Sequence, residues 1–193
     1  MKNNHLSLHP KKGLRIGAKL AFWDESGFSE RPFVHRTWAP RGATPIVVST
    51  GSWSTRAAVG AITCTSMGRK PRCFLRIVRG TVKAPDIVRT LKDLRRHVSG
   101  TIILIWDRLP AHRSKVAQDF IRSQEWLIQK WLPSYAPELN PIEYMWSSAK
   151  RKDHANTCPE NLEDLDERIR KSRRRFQRNP DVLEGCLKAS KLF

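Results

Sequence analysis

Thr101-Ile-Ile-Leu-Ile-Trp106 is a nearly all-apolar run of strand length, and the residue that ends it is Asp107. Such a run suits a central strand buried on both faces, because a half-solvated strand alternates polar and apolar residues instead. It calls for a sheet with helices packed on either side. A second apolar run, Leu20-Ala-Phe-Trp23, also ends in an aspartate, Asp24. In open α/β sheets ligands gather beyond the carboxyl ends of strands. The pattern therefore predicts two carboxylates side by side at the end of neighbouring strands.

The rest of the chain supplies the other elements. Arg56–Thr65 and Arg72–Val78 are β-rich, and the Met67-Gly-Arg-Lys-Pro71 segment between them predicts a hairpin. From Ala84 to His97 the period becomes helical, with Ile87, Val88, Leu91, Leu94 and Val98 recurring, and Gly100 stops it. Ser114 caps an expected helix through about Glu125, and Trp126–Leu132 reads as a further strand. Asn140 precedes Pro141, a residue favoured in the first helical turn, so a helix begins there. A last helix is expected over about Leu162–Arg178. Residues 25–54 read as loop, with short strands near Thr37–Trp38 and Pro45–Val48. The order predicts an α/β fold, a mixed central sheet with helices on both faces. Three segments follow: a basic lead-in over 1–17, the main unit over 18–155, and a basic helical extension over 156–193.

Charge narrows the class of partner. Lys and Arg outnumber Asp and Glu by 36 to 18, giving a net charge of +18. That excess points to a polyanion, most commonly nucleic acid; a solvated basic surface or acidic lipid would also accommodate it. Cys64, Cys73, Cys158 and Cys186 form no zinc-like spacing, so reduced thiols are expected. No run approaches the ~18 apolar residues of a membrane span, and the first residues lack a signal-peptide core. No membrane partner and a cytoplasmic, nucleoid-associated location are the expectation.

Glu143, in the first turn of the Pro141 helix, is the third acid. Three carboxylates delivered from two strand ends and a helix start would repel one another. A hard cation resolves the conflict, since Mg²⁺ prefers oxygen ligands, and such a site suits two ions ~3.5–4 Å apart acting on a phosphodiester. Each acid also has a plainer reading. Asp24 could cap the turn at Ser26-Gly27, Asp107 could pair with Arg108 or Arg113, and Asn140-x-x-Glu143 could be a capping box.

Trp106-Asp-Arg-Leu-Pro-Ala-His112, then Leu132-Pro-Ser-Tyr-Ala-Pro-Glu-Leu-Asn-Pro-Ile-Glu-Tyr-Met-Trp146, resembles the DDE-type transposases of bacterial insertion sequences in the mariner superfamily. Thirty-five residues separate Asp107 from Glu143, which suits that family's spacing. Phe22-Trp-Asp-Glu-Ser-Gly-Phe28 and Trp38-Ala-Pro-Arg-Gly42 look like its first-acid region. The resemblance runs from about residue 15 to residue 180. It implies an RNase H-like fold, with 18–155 as the catalytic domain. It also implies DNA cleavage and strand transfer with two Mg²⁺ ions (Mn²⁺ substituting), and assigns Asp24, Asp107 and Glu143 as the metal ligands. The partners it implies are DNA, as transposon ends and target, and a second copy in a homodimer. Relatives usually begin with helix-turn-helix modules. Here the first strand starts within about twenty residues of Met1, too early for such a module to precede it, so the expectation is either a second reading frame whose module is a separate domain or upstream frame product, or a truncated relic. Arg108 stands where many relatives carry Asn.

Two rival readings share the same residues: an RNase H-like nuclease without strand transfer, and a catalytically idle DNA-binding remnant. Expected nucleic-acid contacts are Arg36, Arg41 and Arg56 around the loop-rich region, Arg108, His112 and Arg113 beside the second acid, and Arg173, Arg174 and Arg175 in the last helix. His112 could equally fix its loop by hydrogen bonds. The last helix is acidic at its start and basic at its end, a polarity that the helix dipole alone would favour. Trp38 and Trp53 are the tryptophans most expected at the surface.

Overall fold

A computed structural model describes residues 17–49, 51 and 53–193 of the chain. The lead-in therefore lies, but for Gly17, outside the described residues. Three strands, β1 (Lys19–Ser29), β2 (Thr55–Thr65) and β3 (Arg72–Arg79), form an antiparallel meander. Two more, β4 (Ile102–Trp106) and β5 (Leu127–Trp131), add in parallel on the other side of β1, so the sheet order is β3-β2-β1-β4-β5. Helix α1 (Ala84–His97) carries the chain from β3 across to β4. A single turn, α2 (Pro110–Arg113), and α3 (Lys115–Arg122) connect β4 to β5. Beyond β5 come a 3₁₀ turn (Pro137–Leu139), α4 (Pro141–Lys152), α5 (Leu162–Arg178) and α6 (Pro180–Ala189).

The sheet is covered on both faces, as the apolar β4 run requires. On one face Ile87, Leu91 and Leu94 of α1 and Ile121 of α3 pack against Trp23, Leu104 and Trp106. On the other, Ile142, Met145 and Trp146 of α4 and Leu165, Ile169 and Phe176 of α5 pack against Phe22, Ile62 and Ile105. Successive β4 residues thus enter opposite cores, the alternation a pleated strand imposes.

Several expectations change. β1 runs to Ser29 because its antiparallel neighbour β2 continues to pair with it after β4 has ended. Asp24 is therefore mid-strand, just past the last β1–β4 pair at Phe22 and Ile105. No strand forms at Thr37–Trp38 or Pro45–Val48; both are exposed loop. Ser114 does cap α3, its Oγ accepting from the Ala117 N–H. Asn140 occupies the N-cap of α4 but makes no side-chain cap bond. Helix α6 was not foreseen from sequence. The segment 156–193 is helical and basic, yet Leu165, Ile169, Phe176, Leu183 and Leu187 are built into the same core as the sheet. The four cysteines carry free thiols, and no helix among the described residues is long and apolar enough to cross a membrane.

Candidate active site

Asp24, Asp107 and Glu143 line one cleft of about 460 Å³ at the carboxyl end of β4, together with Arg108, Tyr135 and Asn140. The fold brings them there by different routes. Asp24 leaves β1 on the α4 face of the sheet, and Asp107 follows the last residue of β4. Glu143 sits in the first turn of α4. That helix is fastened to β1 on both sides of Asp24's Cα. Trp146 Nε1 donates to Asp24 Oδ2 at 3.1 Å, and Asn140 Nδ2 donates to the Trp23 carbonyl at 3.2 Å. Asn140 thus uses its amide N–H on the strand, while its Oδ1, the atom a cap would use, is buried without a partner among the described residues.

Gly60 makes the Trp146 contact possible. It pairs with Asp24 across the β1–β2 ladder, and a Cβ there would lie 2.8 Å from the Trp146 ring. Only a residue without a side chain lets the indole lie so close to β2 while its N–H reaches Asp24.

On the opposite face of β1 lies a second polar cluster, which sequence reasoning only half found. Glu25, adjacent to Asp24, points the other way by the alternation of the strand. His112 is 1% exposed and bridges the two acids on either side of it. Its Nδ1 lies 2.7 Å from Asp107 Oδ1, and its Nε2 lies 3.0 Å from Glu25 Oε1. Trp23 Nε1 also donates to Glu25 Oε1 at 2.8 Å. The imidazole stacks on Trp106, whose ring centroid is 4.1 Å away. Asp107 Oδ1 accepts a further bond from the Leu109 N–H at 3.1 Å. The available signal for Glu25 was its position beside Asp24 and two residues from Trp23; nothing in the sequence tied it to His112, 87 residues away.

The two clusters split the acids electrostatically. Burial, then the charges of Glu143 and Glu25, pushes the Asp24 carboxyl up to about 8. Glu143 is also raised, by burial and by Asp107, against the pull of Lys150. Burial also acts to raise Asp107, but the bonds from His112 and Leu109 outweigh it and hold the carboxyl below its usual range. For His112 burial opposes the cation, yet the bonds to Asp107 and Glu25 win and lift the imidazole to about 9. A protonated imidazole donates from both nitrogens, which is the state the two acceptor carboxylates select.

Among the described residues Arg108 is the only cation lining the cleft. Three carboxylates against one guanidinium is a donor set that suits a hard divalent cation. Burial raises Asp24 most and the charges of Glu143 and Glu25 add to it; a bound cation would offset both. Among the described residues no three His, Cys, Asp or Glu side chains are gathered tightly enough to enclose an ion as they stand. Binding one would require the carboxylates to draw in.

The other expected contact residues are scattered. Arg36 and Arg41 are exposed on the loop before β2, and Arg113 is exposed at the end of α2. Arg56 is buried, its Nε 2.8 Å from Asp166 of α5, and so is not offered to a ligand. The burial of His112 likewise directs it to Asp107 and Glu25, not to a phosphate. In α5, Arg174 is paired with Glu167, and Arg175 grips Asp153 at 2.9 Å and Ser148 at 3.2 Å. Arg173 turns toward a different groove. Trp38 and Trp53 are 100% and 64% exposed, as expected, while Trp106 and Trp146 are core.

Comparison with known proteins adds the following. Residues 19–166 match the family described as DDE superfamily endonuclease. No curated protein sequence matches. Among solved structures, the Mos1 transposase paired-end complex with left transposon end is similar at 14% identity and a TM-score of 0.63, over 96% of this chain and 60% of that one. The Mos1 strand transfer complex is similar at 14% identity and a TM-score of 0.57, over 95% and 58%. The catalytic domain of Mos1 mariner transposase is similar at 14% identity and a TM-score of 0.51, over 90% and 83%. The chain thus spans about 60% of the length of the transposase chain in the first of these. At such identities the likeness is one of fold: an RNase H-like mixed sheet with flanking helices.

Proposed function

The chain belongs to the DDE superfamily endonuclease family, and we propose from that premise that it is the catalytic domain of a transposase. In this reading it cuts DNA at transposon ends and joins the freed 3′-hydroxyls to a target. The observation that carries it is the convergence of Asp24, Asp107 and Glu143 on one cleft from positions up to 119 residues apart in the chain.

Asp24, Asp107 and Glu143 would hold two Mg²⁺ ions, or Mn²⁺ in their place. When bound, these cations would offset the negative charge that builds on the phosphoryl and leaving oxygens in the transition state and would make a nearby water or 3′-hydroxyl easier to deprotonate. Asp107 is the carboxylate ready for that role, since His112 keeps it ionised. Both of its side-chain hydrogen bonds fall on Oδ1, which leaves Oδ2 available to the cleft. Asp24 is held by Trp146 and gives up its proton only as positive charge arrives. Arg108 is stacked at 5.5 Å over Trp131, lines the cleft and forms no ion pair among the described residues. It would grip a non-bridging phosphate oxygen and so orient the reacting strand.

Membership of the mariner-related insertion-sequence branch is supported by the Leu139-Asn-Pro-Ile-Glu143 motif. A homodimer on paired ends, with end recognition supplied by a helix-turn-helix domain, completes the proposal. Nicking of supercoiled plasmid in Mn²⁺ tests cleavage. Wild type should nick, and Asp107→Asn should abolish nicking while DNA binding stays unchanged. Strand-transfer assays with pre-cleaved ends then separate a transposase from a plain nuclease. A wild-type protein that fails to nick, alone and with an end-binding domain supplied, refutes the catalytic reading and leaves the idle remnant.

A further inference from the structure

A groove of about 660 Å³ lies apart from the acid cleft and shares no residue with it. It lies along the free edge of the sheet, between β3, the end of α1 and the middle of α5. Four arginines line it (Arg72, Arg76, Arg170 and Arg173) against a single carboxylate, Asp93. Asp93 is already engaged by Arg76 and by Arg96, the latter at 2.9 Å. Arg170 has only a long contact of 3.7 Å to Glu167. Arg72 and Arg173 have no carboxylate within ion-pair distance among the described residues. Arg173 Nε is moreover buried with no hydrogen-bond acceptor. Leaving a buried donor on a cation without an acceptor is unfavourable, so an acceptor brought into this groove is favoured.

A second cleft, of about 230 Å³, continues from the first through Arg72, His97 and Val98, and adds Lys19 and Lys70 with no acid at all. The result is a strip of cations, not a point. A single free phosphate would be satisfied by one of these residues. A strip over two joined clefts matches a polymer of phosphates. Its place in the fold is defined by register. Lys19 pairs with Thr65 at the end of β2, and Arg72 opens β3. Asp24 is five residues further along β1, a distance of roughly 16 Å at strand rise. The strip therefore lies toward the end of the sheet opposite the reacting cleft. The outer edge of β3 pairs with no strand of the sheet, and it presents backbone donors to the same space.

We infer that this strip binds the sugar-phosphate backbone of duplex DNA, without regard to sequence, at a contact separate from the strand engaged by the acids. The inference deepens the transposase reading, and shares with it only the premise that DNA is the partner. It gives α5 a divided function: Arg175 ties the helix to Asp153, Arg174 is spent on Glu167 of the same helix, and Arg173 is left for the ligand.

The test is a salt titration of binding to a labelled random-sequence duplex of 30 base pairs, read by fluorescence anisotropy in EDTA. The test protein carries Lys70→Gln, Arg72→Gln and Arg170→Gln, all exposed, so that folding is not at issue. The control carries Arg89→Gln, Lys115→Gln and Arg122→Gln, which remove the same charge from α1 and α3. Each phosphate contact contributes about 0.9 to the slope of log K against log salt. The strip variant should lose about 2–3 from the wild-type slope, and the control should keep it. Equal slopes in all three proteins, or equal losses in both variants, would overturn the assignment, the second outcome showing an effect of net charge alone. Because no cleavage is read, a wild type that never nicks DNA defeats the catalytic proposal and leaves this one standing.

Discussion

Asp24→Asn should make the metal-free protein more stable while destroying its chemistry, and the gain should grow with pH. The folded carboxyl titrates near 8 and the unfolded one near 3.8. Below pH 3.8 both states hold the proton, and the group contributes nothing to the balance. As pH rises from there to about 8, the unfolded chain releases its proton and the folded chain keeps it. The unfolded state then binds fewer protons, so stability falls with pH, by roughly 1–1.5 kcal/mol per unit. At pH 7 the accumulated penalty has a ceiling on the order of 4 kcal/mol. Water entering the open cleft reduces it to about 1–3 kcal/mol. An asparagine oxygen still accepts from Trp146 Nε1, so that contact survives the change. Urea denaturation of wild type and variant in EDTA at pH 5, 6, 7 and 8 measures the difference directly. The variant's advantage should widen at each step and level off above about pH 8. Mn²⁺ added at pH 7 should stabilise the wild type and leave the variant where it was. An advantage that stays flat from pH 5 to pH 8 would mean that Asp24 is not held in an environment hostile to its charge, and the electrostatic account of the cleft would fail.

Other outcomes follow from the same geometry. His112→Asn should cut nicking by tenfold or more with little change in DNA affinity, because it removes the group that orients Asp107; Glu25→Gln should do so less severely. Gly60→Ala should cost about 1–3 kcal/mol in denaturant unfolding through the collision with Trp146, and slow nicking by disturbing the Trp146–Asp24 bond. Phe176→Ala should cost about 3–5 kcal/mol in one cooperative transition; a separate early transition would show that α5 and α6 are an appendage and not part of the core.

The three acids, the buried β4, the hairpin and the α5 boundaries were legible in the sequence because each is a local matter of period, punctuation or an apolar run that stops at a charge. Even there the local view misplaced detail. Asp24 was read as a strand terminus, but how far β1 extends depends on β2, whose pairing a linear pattern does not disclose. Asn140 had the residue type and position of a helix cap, yet its amide N–H donates to a carbonyl 117 residues away and its oxygen caps nothing.

The sequence by itself determined that acids follow its apolar runs and that a sheet must carry them, since strand alternation and charge are written residue by residue. Only the tertiary structure decided the rest. It put His112 between Asp107 and Glu25, so that one acid of the cleft is kept ionised while its neighbour Asp24 is pushed toward neutrality. It paired Arg56, Arg174 and Arg175 with acids of the fold and left Arg72 and Arg173 open on a distant edge. Whether a charge is free or spent depends on what lies within a few ångströms of it, and that proximity exists only once the chain has folded.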